Sequence, residues 1–191
     1  IGLLISIILS KKLTRQIKEL KETADKIGEG DFQAIAKTSS KDEIGDLANT
    51  INNMSSRDKA IRQANEDPLT GLANRRYLMQ KLDGLMKAQK NAAILFIDLD
   101  GFKPINDTHG HDMGDEALKV VSERFGACVR DNDVLARIGG DEFVMMFNGL
   151  TDKDVLKARA EKVLELINEP LWINDTRLKM GASIGISVSP N

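Results

Sequence analysis

The chain opens on an apolar run, Ile1, Leu3, Leu4, Ile5, Ile7, Ile8 and Leu9. As a helix, nine residues rise only about 14 Å, whereas a bilayer core is about 30 Å thick, so this run alone is too short to span. Lys11, Lys12, Arg15, Lys18 and Lys21 follow at once. Basic residues just after an apolar helix mark a cytoplasmic flank, and a signal peptide would carry them before the run. The pattern predicts the end of a transmembrane helix over residues 1–10; a buried helix of a soluble protein is the alternative. Leu13, Ile17, Leu20, Ala24 and Ile27 then recur at steps of 4, 3, 4 and 3, a heptad seam. Gly28 and Gly30 close it. A polar stretch runs to Lys41, and a second seam begins: Ile44, Leu47, Ile51 and Met54, whose register continues through Asp58, Ile61 and Asn65. Helices apolar on one stripe need partners, and a four-helix bundle from two chains supplies them.

From Asp67 the texture changes. Asp67-Pro68-Leu69-Thr70-Gly71-Leu72 reads as a turn, since proline disfavours helix at its predecessor. Asn74 caps a helix carrying Leu78, Leu82 and Leu85. Ala92 to Asp98 is a short apolar run, predicted to be a buried strand, with a long loop expected from Leu99 to Gly114. A helix with Leu118, Val121, Phe125 and Cys128 on one face comes next. Val134 to Ile138 and Phe143 to Phe147 read as strands split by Gly139-Gly140-Asp141-Glu142. Thr151 or Asp152 caps a helix with Leu156, Ala160, Val163 and Ile167. Trp172 is expected to pack, ahead of an Asn174-Asp175 turn. Leu178, Met180, Ala182, Ile184, Ile186 and Val188 alternate as one half-buried strand, close to the end at Ser187-Val188-Ser189-Pro190-Asn191. The order from Ala92 is β-α-β-β-α-β, the split βαβ or ferredoxin-like arrangement of an α+β domain. In it the first two strands run parallel with the third between them. Asp98 and the Gly139–Glu142 turn then share one sheet edge.

Composition narrows the chemistry. In 191 residues, 27 Lys and Arg stand against 29 Asp and Glu, a net charge of −2. With no basic excess, non-specific duplex binding is not expected as the main task, and no nucleic-acid partner is expected. Cys128 is the single cysteine, so no disulfide framework or multi-cysteine zinc module exists, and a reducing compartment fits. His109 and His111 lack the further ligands zinc needs. Asp98 and Asp141, brought together on strand ends, repel unless a cation lies between them. Such oxygen donors suit Mg²⁺ or Mn²⁺, which complete their shells with water and substrate phosphates. Gly101 and Lys103 offer free amides and a positive charge to phosphates. The basic flank could also meet anionic lipid.

These residues carry family resemblances. The apolar helix, basic flank, heptad helix, glycine connector, Asp42-Glu43-Ile44-Gly45 and second heptad helix resemble a HAMP linker domain. Gln16 departs from it where the family usually has proline. Arg137-Ile138-Gly139-Gly140-Asp141-Glu142-Phe143 resembles the GGDEF signature of diguanylate cyclases. The segments Asp67 to Arg76, Asp98 to Asp107 and Gly110 to Asp115 resemble that family's opening, metal and guanine stretches, in order. The chain then divides into 1–10, the end of a membrane helix; 11–56, HAMP; 57–66, a linker helix; and 67–191, a GGDEF catalytic domain lacking the family's final helix.

The resemblance implies that Asp98, the Leu99 carbonyl and Asp141 hold Mg²⁺ or Mn²⁺. Asn106 and Asp115 would bind guanine, with His111 nearby, while the amides of Gly101 and Phe102, with Lys103, would meet phosphates. Glu142 would support the metal, and Asp141 would accept the proton. Two GTP on two facing domains of a homodimer would give cyclic di-GMP and pyrophosphate, at the cytoplasmic face of a bacterial inner membrane. Arg130 and Asp133 match the family's inhibitory site, where cyclic di-GMP as product binds. Two other readings stand beside this one: a catalytically silent module that senses GTP or cyclic di-GMP, and part of a hybrid with a phosphodiesterase.

Overall fold

A computed structural model of the chain describes residues 2–31, 33–37 and 42–189. Ile1, part of the polar connector (38–41) and the Pro190-Asn191 terminus, all included in the sequence expectations, lie outside the described residues. The chain divides into two compact units, residues 1–63 and 64–191.

In the first unit, α1 spans Gly2–Gly28 and α2 spans Glu43–Asn65, running beyond the boundary. Gly30, at φ +99°, turns the chain, and the Asp31 amide returns to the Lys26 carbonyl. Leu20, Ala36 and Ala48 are buried together, with Ile44 and Ile51 packed on them. The connector is fixed to α2 by a reciprocal pair. The Ala36 amide donates to Asn52 Oδ1 at 2.9 Å, and Asn52 Nδ2 donates to the Ala36 carbonyl at 3.1 Å. Other seam positions stay open: Leu13, Ile17, Leu47, Met54 and Ile61 are all exposed apolar residues. Among the described residues, no helix is long and apolar enough to cross a membrane.

The second unit begins with the expected cap. Asn74 Oδ1 accepts from the Tyr77 amide at the start of α3, Arg75–Lys87. Then come β1 Ala92–Asp100, α4 Phe102–His109, α5 His111–Gly126, β2 Val134–Gly139, β3 Glu142–Asn148 and α6 Lys153–Asn168. A short hairpin, β4 Leu171–Ile173 and β5 Thr176–Leu178, precedes β6 Gly181–Ser189. The main sheet has the order β2-β3-β1-β6, and each neighbouring pair is antiparallel. This is the split arrangement, with β1 and β2 parallel across β3. Alternation sends Leu95, Ile97 and Leu99 to one face, where Leu118, Val121 and Phe125 of α5 and Val163 and Ile167 of α6 close the core. Phe125 meets Phe143 edge-on at 5.5 Å. On the other face Leu78 of α3 packs on Ala136, Val144 and Met146.

Four expectations are corrected. The loop from Leu99 to Gly114 is instead two more residues of β1, then α4 and the start of α5. Gly101, at φ +84°, makes the corner, and Pro104 falls in the first turn of α4, where no intrahelical donor is needed. Trp172 does not pack: strand alternation gives the inward places to Leu171 and Ile173 and leaves Trp172 66% exposed opposite Arg177. The alternating run from Leu178 to Val188 is not one strand. Leu178 pairs back to Leu171, and only Gly181 onward pairs with β1. As an edge strand β6 leaves Ile186 exposed, although Ala182, Ile184 and Val188 touch the core. Cys128 is buried as expected, but it lies past the end of α5. Burial raises its pKa, which leaves an unreactive thiol.

Candidate functional site

The register of β1 on β3 sets the site. Asp98 pairs directly with Glu142, and the Leu99 amide donates to the Asp141 carbonyl at 3.2 Å. Residues directly opposite in an antiparallel pair point to the same face, and like charges there destabilise the sheet. The topology thus brings Asp98 beside the glycine turn, with both Asp98 and Glu142 half-buried. A bulge between Arg137 and Gly139 and a positive φ of 23° at Gly140 shape that turn. A Cβ on Gly139 would sit 3.2 Å from Glu142 Oε2, so the bare glycine leaves this carboxylate its room. Asp100, two residues beyond Asp98 on the same face, accepts from Ser183 Oγ at 3.1 and 3.2 Å.

The donors here are carboxylate and carbonyl oxygens. Among the described residues, no group of three or more His, Cys, Asp or Glu side chains gathers to hold a metal unaided. Two carboxylates and a backbone carbonyl, with water and phosphate completing the shell, suit Mg²⁺ or Mn²⁺. The set fits that ion and does not fit zinc.

Gly101 caps α4 without a side-chain bond. The first amides of α4, Phe102 and Lys103, have no intrahelical acceptor, and they start two residues after β1 ends. The Phe102 side chain itself is core. Asn106 lies at the middle of α4, His111 opens α5, and Asp115 stands one turn further along. Asp115 lines a cavity of about 370 Å³ with His109, Asp112, Met113, Lys119 and Asn174. Lys119 donates to Glu116 at 2.6 Å, and that bond raises the ammonium pKa.

Arg130 and Asp133 lie at the far end of β2 from the glycine turn. Asp133 is engaged by backbone: its carboxylate accepts from the Arg130 amide at 3.0 Å and from the Asn148 amide at 3.2 Å. A groove of about 510 Å³, lined by Tyr77, Lys81, Asn132 and Asp133 among others, opens there rather than at the Asp98 edge. The Arg130 side chain is exposed.

Sequence reading assigned no role to three residues that brace these elements. Arg137 donates from Nε to the Gly140 carbonyl and from Nη1 to Asp67 Oδ1, each at 2.9 Å. Arg124 reaches the carbonyls of Leu166, Glu169 and Pro170 at 2.8–2.9 Å, finishing α6, which has no basic residue in its own last turn. Gly114 leaves space for Asn106. No spacing links such partners, which are 70 positions apart for Asp67 and Arg137. Only the adjacency of Arg137 to the glycine signature hinted at one of them.

The family model described as "Diguanylate cyclase, GGDEF domain" matches residues 64–191, and the HAMP domain model matches residues 8–57. The chain is 39% identical to the cyclic di-GMP phosphodiesterase NbdA of Pseudomonas aeruginosa, over 74% of this chain and 18% of that protein. It is 37% identical to the response regulator PleD of Caulobacter vibrioides, over 69% of this chain and 30% of PleD. The chain therefore spans less than a third of either relative. Among solved structures, the coiled coil and GGDEF domain of DgcB from Caulobacter crescentus, in complex with c-di-GMP, superposes with a TM-score of 0.68 at 25% identity. That match covers 75% of this chain and 79% of that one.

Proposed function

Because the chain belongs to the diguanylate cyclase GGDEF-domain family, we propose that it makes cyclic di-GMP from two molecules of GTP, with release of pyrophosphate. The observation that carries this reading is the Asp98–Glu142 register, together with the Leu99 amide bond to the Asp141 carbonyl. Asp98, the Leu99 carbonyl and Asp141 would hold Mg²⁺ or Mn²⁺, with Glu142 in support. Bound there, the ion would neutralise phosphate charge and polarise the phosphoryl oxygens.

The chain's own residues then have separate tasks. Asn106 and Asp115 bind guanine, with His111 beside them. The amides of Gly101 and Phe102, with the Lys103 ammonium, hold phosphates. Asp141 accepts the proton of the attacking 3′-hydroxyl. The 3′-oxygen bonds to the α-phosphorus of the other nucleotide, and the bond to the β-phosphate side breaks. Each chain carries one half of the reaction, so two copies must face one another. The exposed seam residues Leu13, Ile17, Leu47, Met54 and Ile61 support a HAMP homodimer that brings them together. The apolar start and its basic flank support a membrane anchor with the catalytic domain in the cytoplasm. Product binding at Arg130 and Asp133 would limit output.

Incubation with GTP and Mg²⁺, followed by measurement of pyrophosphate and cyclic di-GMP, tests the reading. Formation of one cyclic di-GMP for every two pyrophosphates is expected; GTP binding without pyrophosphate release would leave a sensing module instead. One observation favours a second reading, a regulatory segment of a phosphodiesterase: NbdA, a relative of which this chain matches only 18%, bears that name.

A further inference from the structure

The helices α4 and α5 meet at Gly114. A Cβ built there overlaps the carboxamide oxygen of Asn106, lies 2.9 Å from Asn106 Cγ and comes within 3.3 Å of the Phe102 ring. That oxygen is buried and, among the described residues, accepts no hydrogen bond. A buried acceptor without a partner is costly, so this placement of the carboxamide needs a reason. The surroundings decide what would yield if space were lost. Phe102 and Ile105 fix α4 in the core, and the Gly110 amide holds the Asn106 carbonyl at 2.9 Å. The backbone is pinned, so the Asn106 carboxamide is the part that must move.

We infer that Gly114 is a positioning residue for nucleobase recognition: its missing side chain provides the seat that aims the Asn106 carboxamide. This rests on the guanine reading above. Asp115, the next residue, faces the 370 Å³ cavity, so one turn of α5 serves both base-binding side chains. A methyl at position 114 expels the carboxamide and removes its share of base selection while leaving the phosphate contacts at Gly101 and Lys103 in place.

Calorimetric titration of the chain with GTP, and separately with ATP, tests this. Gly114→Ala and Asn106→Ala should each weaken GTP binding about tenfold. The double variant should bind within about threefold of Asn106→Ala, because both changes remove the same seated group. The preference for GTP over ATP should fall in Gly114→Ala, which loosened helix packing alone would not change. The double variant also relieves the overlap, so it supplies the comparison with Asn106→Ala even where Gly114→Ala fails to fold. Losses that multiply in the double variant, or an unchanged GTP preference in Gly114→Ala, overturn the inference. A wild-type chain that binds no GTP overturns the guanine reading itself.

Discussion

Arg137 holds Asp67 at 2.9 Å while the same guanidinium grips the Gly140 carbonyl. The first turn of the second unit is thereby tied to the glycine turn that carries Asp141. Both side chains are largely enclosed, 13% and 18% exposed. Burial alone would raise the Asp67 pKa, but hydrogen bonds from Thr70 and Arg137, with the Arg137 charge, outweigh it and hold the carboxyl below its ordinary 3.8. A carboxyl with a lowered folded-state pKa stabilises the fold above its unfolded value and loses that stabilisation as pH falls through the folded value. Asp67→Asn should therefore cost about 1–3 kcal/mol at pH 7, with the penalty shrinking below pH 3.8. Urea unfolding at several pH values measures it. A penalty constant down to pH 2 would show the charge to be irrelevant.

Arg124 does for α6 what α6 does not do for itself. Replacing it with Met keeps the aliphatic stem and removes three hydrogen bonds to carbonyls at the helix end. The expected loss is about 2–3 kcal/mol, read as a lower urea midpoint with unchanged slope. Arg124→Lys should recover only part, because an ammonium lacks the fork that spans the three oxygens.

At the proposed inhibitory site the two residues should separate. Arg130 is exposed, so Arg130→Ala should relieve product inhibition and shift stability by no more than about 0.5 kcal/mol. Asp133 accepts two backbone amides, so Asp133→Ala should relieve inhibition and also cost about 1–2 kcal/mol. Turnover against added cyclic di-GMP, paired with thermal melts, distinguishes them; equal stability of the two variants would contradict this division.

Trp172 stands in solvent opposite Arg177. Trp172→Ser should change stability by less than about 0.5 kcal/mol, whereas Leu171→Ala, at a fully buried position of the same strand, should cost about 2–5 kcal/mol. Matched losses in the two melts would place the indole in the core after all.

The main elements were legible because their signals are periodic. Leu118, Val121 and Phe125 mark one helix face, and the apolar run from Ala92 to Asp98 marks a core strand, although Phe96 within it faces solvent. The split topology by itself sets Asp98 beside the glycine turn. α4 is not legible because only Phe102 and Ile105 face the core over its eight residues, too few to register a period, and Gly101 and Pro104 read as loop residues. In Leu171-Trp172-Ile173 all three residues are apolar, so no pattern says which one faces out. The switch at Lys179-Met180, where pairing passes from β4 to β1, leaves the alternation intact and so hides the break. The braces at Arg137 and Arg124 depend on partners distant in sequence, which local pattern does not reveal.

The claim on which the rest depends is that the carboxylates of residues 98 and 141 share one divalent ion. Electron paramagnetic resonance of Mn²⁺, titrated into the chain with GTP present, reads it directly. The backbone bond from Leu99 to Asp141 survives side-chain change, so Asp98→Asn and Asp141→Asn should both remain folded by circular dichroism. Each should lose protein-bound Mn²⁺ by about tenfold or more. Wild-type Mn²⁺ occupancy in either folded variant would contradict the account.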